Sequence, residues 1–226
     1  MSNNRTFNDP SMTVRNYWID QTTSFLKKDH VVYGITLKCA STFYCSLLQN
    51  NGWKPAKFSD IDWENDHVFS FIMDPWKRRA KGIAEDLLNG YSVEQYLLNN
   101  LGKKFWEDHL TFGGHSIPIT LCWPGYYDKI DWIPLDAGVD SNRLLDKLLK
   151  SHAMTLDYSN TVETHVTEEY KQEVYEKIKK MVGNGSSTLQ LMLSSDVDLY
   201  NNVLGRINLQ GDSWDKISWL KNKNHN

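Results

Sequence analysis

The chain has 226 residues, with 25 basic against 28 acidic side chains and a formal charge of −3. That length fits one domain over 1–226, and 40% hydrophobic with 23% charged residues fits a folded globular protein and excludes a disordered one. The near-neutral balance excludes a dedicated nucleic-acid binder with a strongly basic face, and three cysteines (Cys39, Cys45 and Cys122), with no CxxC pair, exclude a disulfide framework and the usual zinc motifs.

In chain order, residues 1–10 form a polar arm without the apolar stretch of a secretory signal. No apolar run approaches the ~20 residues of a membrane helix. The expected protein is therefore soluble, with no membrane partner. The sparse free cysteines point to a reducing, cytoplasmic setting. Val31–Thr36 is a β-branched run and predicts a buried strand. Leu37–Thr42 is a loop of mostly small residues around Lys38. Apolar residues at helical spacing from Phe43 to Asn50 predict a helix that stops before Gly52. A second such unit follows. Val68–Met73 predicts a strand, and Asp74-Pro75 predicts a helix start, with Asp as N-cap and Pro in the first turn. That helix is expected to end near Gly90.

Ser92-Val93-Glu94-Gln95 resembles a capping box and predicts a helix up to Gly102. Residues 111–127 are rich in Gly and Pro and read as mostly loop. A strand is predicted over Ile130–Leu135, then helices over Asn142–Lys150, Thr167–Val182 and Leu189–Leu204. Residues 206–226 form a polar tail. Strands alternating with helices predict an α/β fold: a central parallel β-sheet flanked by helices. Nine tryptophans are many for this length, and the pattern leaves open whether Trp76, Trp106, Trp123 and Trp132 pack the core or stack on a ring-bearing ligand.

The first loop carries chemistry in its composition. Ala40 leaves the backbone accessible, Ser41 and Thr42 add hydroxyls at a helix N-terminus, and Lys38 adds a positive charge. Backbone donors, a helix dipole and one cation together make an anion cradle. The Lys precedes the small residues, the reverse of a Walker A loop, so the NTP-cleaving order GxxxxGK[ST] is absent.

Lys38-Cys39-Ala40-Ser41-Thr42-Phe43 resembles the 5′-phosphosulfate loop of sulfotransferases that use 3′-phosphoadenosine 5′-phosphosulfate (PAPS), with Leu37 in place of the usual Pro. Phe69–Arg78 is similar to that family's 3′-phosphate strand and helix. Asp74, Pro75 and Arg78 fall in register, while Met73 and Lys81 replace an Arg and a Ser. Asp196-Val197-Asp198-Leu199-Tyr200 resembles a structural segment of the family's last helix, and Tyr127-Asp128-Lys129-Ile130 a segment before a strand. The resemblance spans about 31–204. It implies a P-loop NTPase-like fold and PAPS as co-substrate without a metal. The implied PAPS-binding residues are Lys38, Cys39, Ala40, Ser41, Thr42 and Phe43, with Arg78 and Lys81 sharing the 3′-phosphate.

In-line transfer of a sulfuryl group needs charge at the leaving oxygen, a role for Lys38, and a base for the acceptor hydroxyl or amine. His115, in the loop Gly113-Gly114-His115-Ser116-Ile117-Pro118, is the first candidate base, since imidazole titrates near pH 6.5. Asp62, in an acidic segment after the first helix, is the second; His109 reads as a helix end and suits the role less. The acceptor would be a small molecule or a saccharide. Two other readings share the cradle: a nucleotide-dependent phosphotransferase, which would need a magnesium-binding carboxylate, and a non-catalytic PAPS- or nucleotide-binding module, which Met73 keeps open.

Overall fold

In a computed structural model, residues 24–88, 118–123, 125–136, 138–159, 169, 172–173, 176 and 187–208 are described. The first strand, β1 (Ser24–Lys28), turns through Asp29 and His30 into β2 (Val31–Ile35). Asp29 takes a left-handed φ of 52° to close this tight turn. Helix α1 (Ser41–Asn50) follows, then the short strand β3 (Lys54–Ala56) and a 3₁₀ turn at Phe58–Asp60. Next come β4 (His67–Ile72) and α2 (Pro75–Leu88). The later elements are α3 (Ile119–Cys122), β5 (Asp131–Pro134), α4 (Ser141–Lys150) and α5 (Ser187–Asn208).

The molecule is α/β, built on a five-stranded mixed sheet of order β3-β1-β2-β4-β5. The expected parallel sheet is present only in part. The β2–β4 and β4–β5 pairs are parallel, but β1 pairs antiparallel with both β2 and β3. The antiparallel side exists because a two-residue turn can only return the chain alongside itself, whereas each parallel pair needs a helical crossover. No strand was expected before Val31 or between Asn50 and His67, so β1 and β3 go beyond what the sequence predicts.

Alternation along the strands divides the core into two layers. On one face Tyr33 stacks on Phe69, with ring centroids 5.4 Å apart, and Tyr44 of α1 stacks on Phe71 at 3.7 Å. On the other, Trp123 meets Phe25 edge-on at 5.5 Å and Trp132 at 6.3 Å. Gly34 pairs with Phe25 across the sheet, and Trp123 fills the space a side chain would take there. Trp53, Trp63, Trp123 and Trp132 are all buried, which assigns them to packing; Trp106 lies outside the described residues. Helix α5 packs on α2, α3 and β5. The predicted helix over 92–102 also lies outside the described residues, and of 167–182 only 169, 172, 173 and 176 are described, all helical.

Candidate functional site

The carboxyl ends of the three parallel strands meet at one edge of the sheet, where open α/β sheets gather ligands. From β2 the chain leaves through Thr36 and turns at once, with the Cys39 amide donating to the Thr36 carbonyl at 3.2 Å. Lys38 and Ala40 both hold left-handed backbone, at φ 65° and 52°. Ala40 is the N-cap of α1 and has no side-chain oxygen to bond the free amides behind it. Ser41 and Thr42 form the first turn of α1, two residues earlier than the apolar spacing predicts. Thr42 is exposed, and Lys38, Ala40, Ser41 and Phe43 are half-buried. This is the geometry of an anion site: a sharp loop, an uncapped helix N-terminus and a lysine.

Cys39 is the exception within the loop. It is fully buried, and burial pushes its thiol up to about 11 against the pull of the nearby Arg78 and Lys81 cations. A thiol so raised is a packing group and not a nucleophile. Its side chain anchors the loop from below, so any contact from Cys39 to an anion is through its backbone.

Arg78 also lies beneath the loop. It is 1% exposed, and its Nε donates to the Leu37 carbonyl at 3.0 Å. The structure therefore gives Arg78 the work of bracing the loop from α2. Lys81, one turn further on, is half-buried and close enough to Cys39 for its charge to be felt there. Met73, at the position of the family's Arg, is buried.

The adjoining strand ends are tied by carboxylates. Asp74 caps α2 as expected, accepting from the amides of Trp76 at 2.9 Å and Lys77 at 3.0 Å. The Asp74 amide donates to Asp136 Oδ2 at 3.0 Å, and the Tyr200 hydroxyl donates to the other oxygen of Asp136. Asp196 is buried and accepts from Ile119 N at 2.6 Å, Thr120 N at 2.8 Å and Thr120 Oγ1 at 2.8 Å, capping α3. Asp196 and Tyr200 thus tie α5 to the start of α3 and to Asp136. Asp136 escaped the sequence reading. Its one signal was its position, an acid directly after a predicted strand.

The two candidate bases fare differently. His115 lies outside the described residues. Asp62 sits at the wrong end of the sheet. Its amide donates to Asp66, which pairs with Lys27 at 2.5 Å, and Lys27 stands opposite Val32 near the start of β2. A strand of this length separates the two edges by roughly 17 Å. Asp62 instead makes a local turn, accepting from the Glu64 and Asn65 amides and the Asn65 side chain, bonds that hold its carboxyl below the usual range. The structure does not bring Asp62 to the Lys38 loop.

Among the described residues, no group of three or more His, Cys, Asp or Glu is arranged to hold a metal ion, and no helix is long and apolar enough to cross a membrane. Comparison with protein-family models, with curated proteins and with solved structures finds no match to this chain.

Proposed function

We propose that the chain is a PAPS-dependent sulfotransferase with a P-loop-like architecture. One observation carries the reading. A parallel strand runs through a left-handed turn at Lys38 into the uncapped N-terminus of α1, while the neighbouring strand opens α2 with Asp74-Pro75 and returns Arg78 to brace the same turn. The free amides at the start of α1 would hold the sulfonate and 5′-phosphate oxygens. Lys38 would neutralise charge on the bridging oxygen as the sulfur–oxygen bond to the nucleotide breaks and the bond to the acceptor forms. Lys81, half-buried one turn further along α2, supplies the more accessible cation for the 3′-phosphate beside Arg78, whose Nε is bonded to the loop. The acceptor's proton goes to His115 in this reading. The acceptor is a hydroxyl or amine of a small molecule or saccharide.

The burial of Arg78 and Met73 favours a second reading, a PAPS- or nucleotide-binding module without transfer. One assay separates the two. Labelled PAPS is incubated with the protein and a panel of alcohols, phenols, amines and saccharides, and label in the acceptor is counted. Transfer that falls about a hundredfold or more in Lys38→Ala, in line with loss of an oxyanion donor, supports the enzyme. Binding of PAPS with no transfer to any acceptor supports the module.

A further inference from the structure

At the opposite edge of the sheet, His67 faces the Asp131 carboxylate and lies beside His152 and the β1–β2 turn that carries His30. His67, opening β4, places its Nε2 2.6 Å from Asp131 Oδ2 at the start of β5. The His67 ring lies 4.7 Å from that of His152, in the turn that closes α4. His30, in the β1–β2 turn, accepts the His67 amide on its carbonyl at 2.7 Å and adds its own charge to the surroundings of His152. The β1–β2 turn, β4, β5 and α4 thus contribute His30, His67, Asp131 and His152.

His152 begins a segment that clasps α1. Ala153 takes a left-handed φ of 57°, Met154 is buried, and the Tyr158 hydroxyl donates to Asp146 Oδ1 at 2.8 Å. Asn51, just after α1, exchanges two bonds with Asp157. Its side-chain amide donates to the Asp157 carbonyl at 2.9 Å, and the Asp157 amide donates to its oxygen at 2.8 Å.

We propose that His30, His67, His152 and Asp131 form an acid-released latch that seats residues 151–158 against the sheet and the end of α1 at neutral pH. A proton on His152 places its charge on a ring 4.7 Å from that of His67, whose Nε2 faces Asp131, and like charges at that range repel. Burial holds the His152 imidazole below its usual range, the charges of His67 and His30 lower it further, and Asp131 opposes them. A released His152 therefore takes up a proton more readily than a seated one. The latch is complete above about pH 6.5 and weakens as the pH falls through that value.

Amide hydrogen exchange on the full chain, corrected for intrinsic rates, tests this at about pH 7.5 and about pH 5. Protection of residues 151–158 should fall roughly threefold or more at the lower pH, while β2 and β4 keep theirs. His152→Asn should remove that fall, and His152→Lys should lower protection of the segment already at the higher pH. Unchanged wild-type protection between the two conditions would overturn the latch. So would an undiminished fall in His152→Asn, or an equal loss of protection throughout the sheet. The wild-type comparison decides even if a variant fails to fold.

Discussion

At the scale of single residues, the loop and the sheet beneath it depend on side chains that do unlike work. Gly34 works by having none: a Cβ there would stand 2.2 Å from Trp123 Cη2, inside a ring that is itself packed on Phe25 and Trp132. Gly34→Ala should cost about 3 kcal/mol in urea unfolding, the upper part of the range for overpacking a core. A loss below about 0.5 kcal/mol would mean that Trp123 moves aside freely. Lys81 carries a functional prediction. Lys81→Ala should weaken PAPS binding by ~1.5–3 kcal/mol more than binding of adenosine 5′-phosphosulfate, which lacks the 3′-phosphate. Calorimetry with the two ligands checks it, and equal losses would remove Lys81 from the 3′-phosphate. Asp62 shows where residue-level reading fails. Its location after the first helix made Asp62 a candidate base, yet Asp66 pairs with Lys27 and Asp62 closes its own turn.

At the scale of elements, the strand ends are joined through one carboxylate. Asp136 follows β5, accepts from the amide that begins α2, and accepts from Tyr200 of α5. Helix α2 in turn braces the Lys38 loop through Arg78. Tyr200→Phe leaves Asp136 half-satisfied and should cost about 1.5–3 kcal/mol, read as a lower urea midpoint with an unchanged slope. A variant as stable as the wild type would show that the Tyr200 bond adds nothing to the docking of α5. Most of these elements were legible because their signals are local: the Val31–Thr36 run, Asp74-Pro75 and the leucines of α4 declare themselves within a few residues. The strand β1 was not, because Ser24–Lys28 ends in two lysines and owes its place to pairing with β2 and to the Lys27–Asp66 ion pair. Its pairing also turned a predicted parallel sheet into a mixed one. Such partners are set by the folded chain and leave no periodicity to read.

At the scale of the whole molecule, the site was half visible from sequence. Composition marked the Lys38 loop, but it did not show that the side chains of Cys39 and Arg78 are buried beneath it, with Arg78 Nε bonded to the Leu37 carbonyl. Burial is decided by what packs above and below, which a motif does not state. The Lys38 loop lies at the carboxyl edge of the sheet and the histidine cluster at the amino edge, so the two proposals can be tested separately. Thermal unfolding with and without the nucleotide is the most direct test of whether the carboxyl edge holds PAPS. A ligand bound only by the native state stabilises it by about 2.7 kcal/mol at a hundredfold excess over its dissociation constant. PAPS should raise the melting temperature accordingly, ATP should raise it less, and Lys38→Ala should reduce the PAPS shift. An equal or larger shift with ATP and none with PAPS would contradict the claim and turn the cradle over to a phosphotransferase.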